Sequence, residues 1–191
     1  AENENGRNGK WNKGPGRKLT EAIEETLGKN RVIAEDLGFL TPSVIRLVKK
    51  TGYPGMKILQ FAFDSREESD YLPHNYTANS VVYTGTHDND TTLGWYHTIP
   101  ACDRRFAKNY LNIKGNKKVT WEFIRAAIAS VSDTAIIPMQ DYLELGSEAR
   151  INTPSTLGDN WKWRMSAEQL SPELAEEILE LCKLYGRVKE K

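Results

Sequence analysis

The sequence has little of what redox or metal chemistry requires. It holds two cysteines, Cys102 and Cys182, and three histidines, His74, His87 and His97. Two cysteines far apart in the chain exclude a disulfide framework and favour a reducing compartment. No Cys/His spacing matches a zinc site, so no metal is expected. Walker and dinucleotide glycine patterns are missing, and no cofactor is expected. A Gly-x-Ser-x-Gly elbow is also missing, which argues against a serine-hydrolase triad. Net charge is lacking too, with 26 Lys and Arg against 26 Asp and Glu. That balance excludes a strongly basic binder, so neither a nucleic acid nor a membrane surface is an expected partner. No apolar run approaches the ~18 residues of a membrane span, and the first ten residues contain no apolar signal core.

What is present is a globular balance, 39% hydrophobic and 27% charged. Residues 1–18 are rich in Gly, Asn and Lys and read as loop. Leu19, Ile23 and Leu27 recur at helical spacing and predict a helix over 18–28, closed by Gly28. Val32-Ile33-Ala34 reads as a short buried strand ending in Glu35-Asp36. Thr41 and Pro42 open a second helix as N-cap and first helical residue, and Gly52 closes it. Further strands are expected over 56–63, 80–88 and 134–140. The first three strands recur at intervals of about 25 residues, a period that signals βα architecture and a parallel sheet. Residues 64–79 carry Pro73 and no apolar period, so they predict a loop with one helical turn. Helices are expected near 103–112 and 120–131, and an amphipathic one carries Leu174, Ile178, Leu181 and Leu184. Neither a repeat nor a linker divides residues 1–191, which read as one α/β domain.

Function in parallel sheets collects at the carboxyl ends of strands. Here those ends carry acids: Glu35-Asp36, Asp64, and His87-Asp88-Asn89-Asp90. Acids from three strand ends on one rim suit glycosyl transfer, in which one carboxylic acid protonates the leaving oxygen and a carboxylate stabilises an oxocarbenium-like centre. A capped strand end and an Asn/Asp turn are the plain structural alternatives. Phe61, Phe63 and Tyr83 read as core. Trp161 and Trp163 lie in a polar loop, where an indole can face the apolar side of a sugar.

The segments VIAEDLG, YPGMKILQFAF, YLPHNY, VVYTGTHDNDTTLGW, SEARINTPST and GDNWKWR, in this order across about residues 10–165, resemble 4-α-glucanotransferases of the amylomaltase or disproportionating-enzyme type. The resemblance implies the C-terminal half, about four βα units, of an elaborated (β/α)₈ barrel. It implies retaining transfer of α-1,4-glucan segments between maltooligosaccharides, in the cytoplasm or in a plant or algal plastid. It makes Glu35 the general acid/base and Asp88 the transition-state stabiliser. His87 would contact the sugar at the cleavage point, with Asn89, Asp64, Asn152 and Trp161 near bound glucan. A non-catalytic glucan-binding protein and an amylase-type hydrolase are the alternatives.

Two departures from the family pattern stand out. The nucleophilic aspartate belongs to an Arg-Ile-Asp-His-Phe-like motif that should precede residues 9–16, and these 191 residues do not contain it. The chain alone is therefore expected to be inactive, and its unpaired sheet edges to promote self-association or pairing with a missing N-terminal half. Ser155 stands where the family usually has glycine.

Overall fold

The computed structural model describes residues 9–188 except Trp11, Asn30, Phe39, Asn116 and Lys117. The loop reading of residues 1–8 and Trp11 lies outside the described residues. The chain divides into two compact units, residues 1–53 and 54–191.

In the first unit, α1 (Arg17–Leu27) ends at Gly28, whose φ of 82° lies in the region that glycine adopts without Cβ strain. Thr41 caps α2 (Pro42–Thr51) by accepting the Val44 amide, and Gly52 closes it in the left-handed conformation. These boundaries fall where the capping residues predict them. The strand expected at Val32–Ala34 does not form. Only Ala34 makes an isolated bridge, and Ile33 is exposed. Among the described residues, no strand assignment extends from the Ala34 bridge to Val32 or Ile33. Tyr53 is buried, and its hydroxyl donates to the Thr20 carbonyl at 3.4 Å.

The second unit is built on a three-stranded parallel sheet in the order β1 (Gly55–Ile58), β2 (Ser80–Tyr83), β3 (Thr134–Ile136). Met56 pairs with Val81, and Val82 with Ala135. Ser80, Val81 and Val82 are all buried, the signature of a central strand covered on both faces. All three strands are shorter than expected. After β1 the chain tightens into a 3₁₀ turn over Leu59–Ala62, and after β3 it enters the short α6 (Met139–Tyr142). Between β2 and β3 run α3 (Thr92–Thr98), α4 (Ala101–Tyr110) and α5 (Val119–Ala129). The loop at 64–79 holds one 3₁₀ turn, Pro73–Asn75, as expected.

Phe63 anchors the core. Its ring meets Phe123, Phe106 and Tyr110 edge-on at 5.4–5.8 Å, a favoured aromatic geometry. Phe61, expected in the core, is exposed and packs edge-on against Tyr71. One face of α5 sends Phe123 and Ala127 into this core. Its other face sends Ile124 and Ile128 against Leu181 of α7 (Pro172–Leu184). The fold is mixed α/β. Among the described residues no helix is long and apolar enough to cross a membrane.

Candidate active site at the carboxyl end of the central strand

Four of the residues singled out in the sequence, His87, Asp88, Asn152 and Trp161, meet just past β2. The turn that presents His87 and Asp88 is closed by a fifth, Asn89. Its side-chain oxygen accepts the Thr86 amide at 2.9 Å and the Thr86 hydroxyl at 2.8 Å. The Asn89 amide returns to the Thr86 carbonyl, and the Asp88 amide donates to the Thr86 hydroxyl. This is the local side-chain-to-backbone bonding that makes Asn and Thr turn formers. Within the motif, Asn89 and Asp88 stand differently. Asn89 builds the turn, and Asp88 is held out by it, exposed.

Asp88 is gripped from the segment 150–152. The Asn152 amide donates to Asp88 Oδ1 at 2.6 Å, and Arg150 Nη2 donates to the Asp88 carbonyl at 2.7 Å. Arg150 Nε also donates to the Asn152 carbonyl at 2.9 Å, and the Asn152 amide N–H donates to the His87 carbonyl at 3.1 Å. His87 Nε2 lies 3.3 Å from Asp88 Oδ1. The His87 ring stacks at a tilt on Trp161, with centroids 5.1 Å apart. Trp161 is half-exposed and holds a φ of 66°, rare for a residue with a side chain. Its amide is anchored to the Ile151 carbonyl at 2.7 Å, and Arg164 donates to its carbonyl. Such local strain persists only where surrounding bonds over-determine it.

Beneath the rim lies a carboxylate that the sequence reading did not single out. Asp141 is 1% exposed. It accepts the Thr84 hydroxyl at 2.5 Å, the Thr92 amide at 2.8 Å and the Thr92 hydroxyl at 2.8 Å. Burial pushes its carboxyl above the ordinary value, and these donors partly oppose that. Asp141 thereby joins the end of β2, the start of α3 and α6. Asp90 accepts the Ser147 hydroxyl at 2.6 Å. That approach requires Gly94, because a Cβ there would lie 2.3 Å from Ser147 Oγ and 2.9 Å from the Ser147 backbone nitrogen.

Asp64 is engaged elsewhere. Arg66 forks onto both of its carboxylate oxygens at 2.7 and 2.5 Å, which lowers its carboxyl to about 2. Glu35 belongs to the first unit, where it is exposed just after the Ala34 bridge. Arg150 and Asp141 were the residues missed. An acid following a strand end was a usable signal for Asp141. Arg150 gave none, because its partner lies far away in the chain. Among the described residues no three His, Cys, Asp or Glu side chains gather as a metal cluster. Cys102 and Cys182 are both free thiols.

The site is thus an acid-bearing turn at the end of the central strand of a parallel sheet, braced by a second loop and flanked by an indole. The family profile described as 4-alpha-glucanotransferase matches residues 1–170, and the chain belongs to that family. It is 52% identical over 183 residues to a 4-alpha-glucanotransferase of Streptococcus pneumoniae, covering 95% of this chain and 36% of that protein. It is 47% identical to the chloroplastic/amyloplastic 4-alpha-glucanotransferase DPE1 of Arabidopsis thaliana, covering 94% and 32%. Its fold matches the solved amylomaltase from Streptococcus agalactiae in complex with acarbose, with a TM-score of 0.89 and 39% identity. That match covers 94% of this chain and 37% of the other. The chain thus spans about a third of the length of these relatives.

Proposed function

We propose that this chain is the C-terminal portion of a (β/α)₈ catalytic barrel that moves α-1,4-glucan segments between maltooligosaccharides with retention of configuration. The observation that carries this reading is the presentation of Asp88 at the end of β2, gripped through its carboxylate and its carbonyl by Asn152 and Arg150. In the reaction, Glu35 as acid gives its proton to the O4 of the leaving segment. A carboxylate nucleophile from a barrel segment outside these 191 residues forms the glycosyl-enzyme bond. Glu35, now a base, takes the proton from the O4 hydroxyl of an acceptor glucan, which displaces the nucleophile. Asp88 stabilises the positive charge that develops at the sugar ring in both steps. The Trp161 indole, with the His87 ring tilted against it, offers an aromatic face beside it for the apolar side of a glucose unit.

The apolar residues left exposed in the first unit, among them Leu19, Leu27 and Leu47, find cover from the rest of the barrel or from a second copy. The test uses maltotriose. A polypeptide carrying these residues together with the remaining barrel should yield glucose and longer maltooligosaccharides, and the 191-residue chain alone should yield neither. Glucose and maltose without longer products would place the protein among hydrolases instead.

A further inference from the structure

We infer that Arg150 is a positioning residue for Asp88, and that its fork sets where the Asp88 carboxylate stands. The inference rests on the reading of Asp88 as the transition-state stabiliser. Asp88 is exposed and lies on a turn, so burial does not fix its side chain. What fixes it is a bracket from the segment 150–152. Arg150 Nη2 holds the Asp88 carbonyl at 2.7 Å, and Arg150 Nε holds the Asn152 carbonyl at 2.9 Å. One planar guanidinium therefore sets the spacing between two backbones. Asn152 then uses that spacing twice. Its backbone amide bonds the His87 carbonyl at 3.1 Å, and its side-chain amide bonds Asp88 Oδ1 at 2.6 Å.

The Arg150 guanidinium bonds the backbone carbonyls of Asp88 and Asn152, not the carboxylate. It acts on the peptide units around Asp88, and Asn152 transmits the result to the carboxylate. A lysine would keep the positive charge, but its single ammonium cannot span two carbonyls in a fixed fork. Charge and geometry can thus be separated by experiment.

The experiment is a double-mutant cycle in the full-length polypeptide that carries this sequence. Initial rates of maltotriose disproportionation are measured for the parent, Arg150→Lys, Asp88→Asn and the pair, alongside melting temperatures. Arg150→Lys is expected to lower kcat by about 10- to 100-fold with KM within about twofold, because a displacement of about 1 Å in a reacting group costs on that order. In the Asp88→Asn background the same change should cost less than about threefold, since there is no longer a carboxylate to position. Equal losses from Arg150→Lys in both backgrounds would overturn the inference and leave Arg150 a structural residue. If Arg150→Lys lowers the melting temperature enough to obscure the rates, Arg150→Gln is put through the same cycle and judged by the same criterion. A near-normal rate for Asp88→Asn would be a different failure, that of the role assigned to Asp88.

Discussion

Glu35 and Asp88 both follow a short apolar stretch, yet their surroundings differ. The approach to Asp88 is a central strand with both faces covered, and it ends over a buried carboxylate with three donors. The approach to Glu35 is a single bridge at Ala34. Neither α1 nor α2 buries any residue within this chain, and Leu19, Leu27, Ile33 and Val44 stand exposed. The second region fixes the Asp88 carboxylate from within, and the first draws little fixing from its own packing. An acid catalyst needs burial or nearby carboxylates to hold its proton near neutral pH. On the proposed function, such surroundings for Glu35 would have to come from outside its own unit.

Hydrogen exchange on the isolated chain gives the largest contrast. Amides of α1 and α2 should exchange at least about 100-fold faster than those of β2 and α5, because segments with few buried contacts open locally. Equal protection in the two regions would break the comparison.

Asp141 tests the better-organised region from within. Asp141→Ala leaves the Thr92 amide and two buried hydroxyls without their acceptor, and should cost about 2–4 kcal/mol in unfolding experiments. Protection of α1 and α2 should not change. Asp141→Asn keeps an acceptor for the Thr92 amide and should cost far less. It should also change the pH dependence. A carboxyl raised by burial costs nothing while protonated in both states. Its cost appears as pH rises past the ordinary carboxyl value and is complete above the folded-state value. Parental stability should therefore fall relative to Asp141→Asn as pH rises through that window, as read by urea denaturation at each pH.

Ser155 offers the smallest effect. Its φ is 62°, which a Cβ resists and glycine accepts. Ser155→Gly should raise stability by about 0.5–1 kcal/mol, after allowing for the greater freedom of glycine in the unfolded chain. No gain in urea midpoint would show that the loop carries no such strain.

These contrasts also mark what the sequence could reveal. Thr41-Pro42 and Gly52 bounded α2 because capping is decided by neighbours in the chain. The turn at 86–90 was legible for the same reason. The strand at 32–34 was misread because a strand is made by its partner, which apolar residues alone do not specify. The strand-end position of Asp64 was legible, but the fork of Arg66, two residues on, onto both of its oxygens was not. The grip of Arg150 on Asp88 spans 62 positions and exists only after folding.

The division of labour between the two carboxylates is tested most directly by their response to the leaving group. In the full-length polypeptide, Glu35→Gln and Asp88→Asn are compared on maltotriose and on an α-glucosyl fluoride, whose leaving group needs little protonation. First-turnover rates are followed by sugar products and by released fluoride. Glu35→Gln should lose about 10²–10⁴-fold on maltotriose and keep fluoride release within about tenfold of the parent. Asp88→Asn should lose comparably on both donors, because its role lies at the sugar ring. Equal losses on both donors for Glu35→Gln, or near-parental rates for Asp88→Asn, would contradict the account.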